Sequence, residues 1–103
     1  TYGSVTYAIK DTTVDGREIH SGDYMGLVGK EIVVTSTDMM EACRELLKKM
    51  MNDDSEIVTI LKGADASQDQ ADELAAFVEE NFDVDVDLQD GGQPVYSFVI
   101  GVE

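Results

Sequence analysis

Residues 56–63, with the sequence EIVTILKG, constrain the fold more than any other part of this chain. Five apolar or β-favouring residues stand between Glu56 and Lys62, and Gly63 ends the run. A run that is apolar on both faces predicts an interior strand with cover above and below it. We therefore expect this segment to form the centre of a β-sheet.

Helical patterns lie on both sides of this strand, over residues 38–51 and 67–82. Both begin with the spacing of a capping box, at Asp38 and at Ser67. Residues 84–88 then alternate carboxylates with apolar side chains, which is typical of an edge strand with one solvent-exposed face. The order of strand, helix and strand predicts a βαβ unit with parallel strands.

The first third of the chain consists of short β-like runs separated by glycine. Residues 4–14 alternate as a strand does, which predicts Val5, Tyr7 and Ile9 on one face. Asp15-Gly16 has the sequence of a type I′ turn, so residues 17–20 are expected to return as a hairpin partner. Further runs follow, with Gly29-Lys30 suited to a type II′ turn between two of them. This part predicts an N-terminal β-meander.

These elements predict an α/β fold, α+β in a stricter classification. Its mixed sheet begins with the meander and ends with the βαβ unit and a last strand at 95–102, with both helices on one face. A length of 103 residues fits a single domain, spanning residues 1–103. A doubly apolar strand also needs cover on the face without helices. That cover would come from a partner domain, the meander or aromatic side chains such as Tyr96 and Phe98.

The charge of the chain is strongly acidic, with a net charge of −15. Residues 64–103 contain eleven of the 22 acids and no lysine or arginine. Such a surface repels phosphate backbones and anionic lipids, so neither nucleic acid nor a membrane is the expected partner. A basic protein or a cation fits better. The single cysteine and the lack of a signal or membrane-spanning pattern favour the cytoplasm.

Asp83, Asp85 and Asp87 have the spacing of the first ligands in a calcium-binding loop. Leu88 stands where that loop needs glycine, and Pro94 where it needs a bidentate glutamate. A solvated strand face is the better interpretation. In Gly91-Gly92-Gln93-Pro94, the double glycine permits close backbone approach, but no helix follows to bind an anion. A structural turn is expected there.

The remaining chemically interesting side chains also fit structural roles. His20 has no cysteine or second histidine at ligand spacing, so we expect it at the surface. Cys43 falls on the apolar stripe of the first helix and is expected in the core. The four methionines of that helix are expected mainly to pack in the core, with a partner-docking edge as the alternative. They are Met39, Met40, Met50 and Met51.

Four stretches carry a family resemblance: VTYAIKDTT at 5–13, GDYMG at 22–26, SEIVTIL at 55–61 and GGQPVY at 91–96. In this order they resemble the C-terminal end of the bacterial fatty acid kinase catalytic subunit. That family is also described as dihydroxyacetone-kinase-like, with a DAK2 domain. Lys10 stands where arginine would be usual, a mild departure from the pattern.

The resemblance implies a division of labour within a longer protein. An N-terminal kinase domain would bind ATP and magnesium, and a C-terminal region would dock a separate fatty-acid-binding protein. The kinase would phosphorylate the fatty acid carboxylate to an acyl phosphate for phospholipid metabolism. This chain would then be the last, non-catalytic lobe of the docking region, in contact with upstream domains and without a cofactor or metal of its own.

We expect the docking surface to combine the acidic start of the second helix with the GGQPVY loop. The residues predicted to contribute are Asp69, Asp72, Glu73, Gly91, Gly92, Gln93, Pro94 and Tyr96. Two alternatives remain open. A small-ligand-binding domain would show an apolar pocket at the carboxyl ends of its parallel strands. An oligomerisation module would pair through the edge at residues 84–88.

Overall fold

The computed structural model describes residues 1–14 and 16–103, which form eight β-strands and two α-helices. The strands are β1 (Tyr2–Tyr7), β2 (Thr12–Val14), β3 (Arg17–Ile19), β4 (Tyr24–Val28), β5 (Glu31–Ser36), β6 (Ile57–Lys62), β7 (Asp85–Asp90) and β8 (Tyr96–Val102). The helices are α1 (Met39–Met50) and α2 (Gln68–Asn81). Asp15, the first residue of the predicted type I′ turn, lies outside the described residues.

Six strands form one mixed sheet in the order β5-β4-β1-β8-β6-β7. Its neighbouring strands are antiparallel except for β6 and β7, which are parallel and joined through α2. This confirms the predicted βαβ unit, with β7 at the edge. The neighbours β1, β4 and β5 confirm the predicted meander, into which β2 and β3 are inserted as a separate two-stranded sheet.

The prediction of one strand over residues 4–14 is wrong, because β1 ends at Tyr7 and the chain pairs again only in β2. The register of β1 against β8 shifts between Val5 and Thr6, and both of these side chains are buried. A bulge of this kind interrupts the alternation of faces. Tyr7 and Ile9 are therefore exposed and do not follow Val5 into the core.

Both helices begin where the capping patterns place them. The side chain of Asp38 accepts from the backbone N–H of Glu41 at 3.2 Å. At α2 the capping box is reciprocal: Gln70 N donates to Ser67 Oγ at 3.1 Å, and Ser67 N donates to Gln70 Oε1 at 2.9 Å. Each such pair satisfies amide groups that have no partner within the helix.

The two helices pack on the same face of the sheet and share one core. α1 packs on β1, β4 and β5, and α2 packs on β6 and β7. Glycine beneath α1 favours its close approach, because a Cβ on Gly3 would lie 2.5 Å from Met50 Sδ and one on Gly26 would lie 3.3 Å from Leu46 Cβ. Fully buried side chains of this core include Val5, Leu46, Leu47, Val58, Ile60, Leu74, Val78, Phe98 and Ile100.

The methionines and the cysteine of α1 lie in this core. Met39, Met40 and Met50 are buried, and Met51 packs against the core from its margin. Cys43 is fully buried, as predicted. No helix in the described part of the chain is long and apolar enough to cross a membrane.

The environment of β6 differs from the prediction in two respects. The strand is interior, but it is next to the edge strand β7, and the centre of the sheet is formed by β1 and β8. Val58 and Ile60 face the helices and are fully buried, whereas Ile57 on the opposite face is 42% exposed. Both helices lie on one side, as predicted. Phe98 was expected to help cover the other side, and this is wrong because it is buried in the core beneath the helices.

Replacing Ser67 tests the contribution of the α2 cap. Ser67→Ala removes the acceptor of the Gln70 amide and should lower the free energy of unfolding by about 1 kcal/mol. Ser67→Asn keeps a side-chain acceptor and should leave the free energy of unfolding nearly unchanged. Urea unfolding of both variants measures the difference, and equal stabilities would show that the cap contributes nothing.

The buried thiol gives a second prediction. Burial raises the pKa of Cys43 from its ordinary 9.0 to about 12. The charge of Arg44 lowers this pKa in part, and the charge of Asp38 raises it. The thiol should therefore resist labelling in the folded protein and react once urea unfolds it. Because the folded pKa is the higher one, stability is unaffected below pH 9 and should fall as the pH rises toward 12.

Rapid labelling of the native protein near neutral pH would contradict this placement of Cys43. Cys43→Ala serves as the control, because it removes the reactive group and the alkaline loss of stability that the thiol causes.

Candidate functional site

The carboxyl ends of the parallel strands β6 and β7 lie side by side, and Lys62 joins the loops that follow them. Lys62 Nζ lies 3.6 Å from Asp90 Oδ1 and donates to the Ala66 carbonyl at 3.1 Å. The Lys62 side chain is only 13% exposed. A largely buried cation with these partners holds the β6–α2 loop (residues 63–67) against the end of β7.

The β7–β8 loop (residues 91–95) is held against the β6–α2 loop by backbone and side-chain hydrogen bonds. Ala64 N donates to the Gln93 carbonyl at 3.0 Å, and Gln93 Nε2 donates to the Leu61 carbonyl at 3.1 Å. The hydroxyl of the fully buried Ser97 donates to Asp65 Oδ2 at 2.9 Å. These bonds join segments about thirty residues apart, so the two loops form one ordered unit.

Glycine is required where the two loops touch. A Cβ on Gly63 would collide with the backbone carbonyl of Tyr96 and would lie 2.9 Å from that of Ser97. Gly91 and Gly92 both donate to the Lys62 carbonyl at 3.0 Å. The double glycine therefore makes a close-packed structural turn, as predicted.

Val95 has an unusual backbone conformation, with φ of +72°. Positive φ is strained for a β-branched residue, and such strain persists only where the surroundings enforce it. Thr6 Oγ1 donates to the Val95 carbonyl at 2.6 Å, which fixes this peptide against β1. Val95 is 62% exposed, and Pro94 and Tyr96 beside it are also exposed. The loop thus presents apolar side chains outward from a constrained backbone.

The acidic residues predicted for the site begin α2 and point to solvent. Asp69, Asp72 and Glu73 are all exposed in its first two turns. The β6–α2 loop leads directly into this helix, so the three acids lie at the same end of the molecule as residues 91–96. We name this set, Asp69, Asp72 and Glu73 with residues 91–96, the acidic end.

The acidic strand β7 has the expected exposed carboxylates. Asp85 and Asp87 are exposed, whereas Val86 and Leu88 pack against the core. Within residues 1–14 and 16–103, no group of three or more His, Cys, Asp or Glu side chains is arranged to hold a metal ion. Carboxylates along an edge strand also oppose the pairing of a second copy there, which weighs against the oligomerisation alternative.

Two surface clefts lie elsewhere on the molecule. One of about 240 Å³ lies at the β2–β3 hairpin and is lined in part by the exposed His20. The other, of about 270 Å³, lies where α1 and α2 end and is lined by residues such as Asn52 and Phe82. Neither lies at the carboxyl ends of β6 and β7, where the small-ligand alternative predicts its pocket.

Sequence reasoning identified the acids and the GGQPVY loop but missed Lys62, Asp65 and Ser97, which connect them. The rule that open α/β sheets place functional groups at the carboxyl ends of parallel strands would have found Lys62 and Asp65. Ser97 has no such signal, because its role depends on a hydrogen bond to Asp65, which is distant in the sequence.

A family model and the similar known proteins match nearly the whole chain. A family model for the C-terminal region of FakA-like fatty acid kinase subunits matches residues 1–103. Protein YloV of Bacillus subtilis (strain 168) is 42% identical over 102 residues, covering 98% of this chain and 18% of the relative. Uncharacterized protein SH1689 of Staphylococcus haemolyticus is 46% identical over 102 residues, with the same shares covered. The chain thus spans about a fifth of the length of these relatives.

Replacing Val95 tests whether the loop stores strain. Val95→Gly should raise the free energy of unfolding by about 0.5–1 kcal/mol, because relief of the positive φ outweighs the added chain entropy of glycine. Val95→Ala removes most of the same side chain but keeps a Cβ, so its free energy of unfolding should rise much less. Urea unfolding compares the two, and equal stabilities would argue against strain at this position.

Proposed function

Because the chain belongs to the family of C-terminal domains of FakA-like fatty acid kinases, we propose that it is a non-catalytic docking module of a larger kinase. The module holds a separate fatty-acid-binding protein through the acidic end. Upstream domains of the parent protein bind ATP and magnesium and phosphorylate the presented carboxylate to an acyl phosphate, which enters phospholipid synthesis. The parent protein acts in the cytoplasm.

The proposal rests on the exposed acidic side chains that lie beside an ordered apolar loop. Asp69, Asp72 and Glu73 are exposed at the start of α2, whereas the basic side chain of Lys62 at this end is only 13% exposed and lies against Asp90. A one-signed surface of this kind accelerates encounter with a basic partner and disfavours acidic ones. The fatty-acid-binding protein is therefore expected to present lysine and arginine to the acidic end.

The loop supplies the other element of a protein interface. Specific interfaces combine a desolvated apolar or aromatic centre with a polar rim. Pro94, Val95 and Tyr96 are exposed next to the acidic start of α2, and the backbone that carries them is fixed by the bonds from Thr6 and Gln93. A fixed loop loses little conformational entropy on binding, so more of the contact energy remains for affinity.

In this account the two parts of the acidic end act at different stages. The carboxylates raise the association rate at long range, where salt screens them. The apolar loop side chains contribute after contact, when water leaves the interface, and they slow dissociation. No residue of this chain then needs to touch the reacting phosphate.

Charge reversal tests the steering role of α2. In the full parent protein, Asp69→Lys, Asp72→Lys and Glu73→Lys together should slow association with the fatty-acid-binding protein by about tenfold at low salt. The remaining rate should also depend less on salt, because the steering charges are gone. Stopped-flow or surface-based kinetics at several salt concentrations measures both effects.

The matched control reverses three exposed acids on the other half of the chain, Glu18, Glu31 and Glu41. Both triple variants have the same net charge, so only the position of the change differs. Equal slowing in the two variants would show that the effect depends only on net charge. Unchanged association in the α2 variant would refute the role of the acidic start of α2.

A further inference from the structure

The face of the six-stranded sheet opposite the helices is apolar across its middle. Phe98 and Ile100 of β8 point into the core, so Val99 and Gly101 between them point to this opposite side. Val99 pairs with Ser4 of β1 and with Leu61 of β6, which places these side chains on the same side.

The strand register places further side chains on this same side of the sheet. Ser4 pairs with Leu27, and Leu27 pairs with Ile32 at the β5 edge. We name this side of the sheet the open face. Its apolar side chains are Tyr2, Met25, Leu27, Ile32, Ile57, Leu61 and Val99.

Two side chains of the open face are strongly exposed, namely Tyr2 at 70% and Ile57 at 42%. Tyr2 lies over Gly101, since a Cβ there would be 3.2 Å from its ring. No helix among residues 1–14 and 16–103 packs on this side. The other five apolar side chains of this face are partly buried. An apolar sheet face that stays partly exposed favours an interface, because apolar surface left in water costs free energy.

We infer that the open face is covered by the upstream part of the same polypeptide in the parent protein. The first support is the length of the relatives, since this chain corresponds to only 18% of YloV. Thr1 pairs with Val102 at the end of the sheet, directly before Tyr2. Polypeptide that joins the domain at Thr1 in the parent therefore enters at the middle of one end of the sheet, next to Tyr2 on the open face.

The size of the face fits a contact between domains of one chain better than a dimer. Strand spacing and rise give a six-stranded face roughly 24 Å wide and 18 Å long, so a covering surface buries at most about 900 Å² in total. Contacts between domains of one chain bury about 600–1,500 Å². Stable complexes of separate proteins bury about 1,200–2,000 Å², which this face does not reach.

Charge also argues against a second copy as the occupant. Asp85 and Asp87 pair with Ile57 and Thr59, so their carboxylates lie on the β7 side of the open face. Two copies stacked face to face would bring these carboxylates toward one another on chains that each have a net charge of −15. The upstream surface is instead expected to be apolar at its centre and basic where it meets Asp85 and Asp87.

Cysteine labelling in the full parent protein tests this inference. Ile57→Cys and Tyr2→Cys place thiols on the open face, and Ala76→Cys places one on the exposed outer side of α2. Peptide mass spectrometry follows labelling at each position relative to the same variant unfolded in urea. Both open-face thiols should react about tenfold or more slowly than the one at position 76, at every protein concentration.

Equal labelling rates at all three positions would overturn the inference. Protection that disappears on dilution would assign the open face to a second copy. Protection that appears only after adding the fatty-acid-binding protein would assign the open face to that partner. Either result would overturn the inference. The inference rests on family membership and not on the docking proposal. Because the test needs no partner binding, its failure is distinguishable from failure of the proposed function.

Discussion

The pairing of β8 with β1 on one side and with β6 on the other holds this fold together. It joins the N-terminal meander to the βαβ unit, and its Phe98 and Ile100 are fully buried between them. The same strand positions both surfaces to which a role is assigned. Its start carries Tyr96 and Ser97 against the β6–α2 loop, and its Val99 lies in the middle of the open face.

The two surfaces differ in the kind of contact that they suit. The acidic end is charged, exposed and built on loops that side-chain hydrogen bonds hold in place, which suits a partner that binds and leaves. The open face is flat and apolar, which suits a permanent contact. A module with both can be fixed to its parent on one side while it presents the other to a separate protein.

Local sequence patterns predicted much of this structure, including α2 from the Ser67 cap and β7 as an edge from the alternation of Asp85 and Asp87. They did not predict the order of the strands, because the pairing of Tyr2 with Gly101 depends on residues at opposite ends of the chain. Nor can an apolar run such as β6 indicate whether its second face is covered by its own domain or by another. The acids of the candidate site were visible in the composition, whereas the contacts of Lys62 and Ser97 arise only from long-range packing.

We propose that the acidic end docks a basic fatty-acid-binding protein. The most direct test of this docking is a calorimetric titration of the full parent protein with the fatty-acid-loaded partner at low and at physiological salt. Docking through the acidic end should give an affinity that falls as salt rises, because salt screens the charges that contribute to binding. Binding of the same affinity at both salt concentrations, or no binding at either, would contradict the proposal.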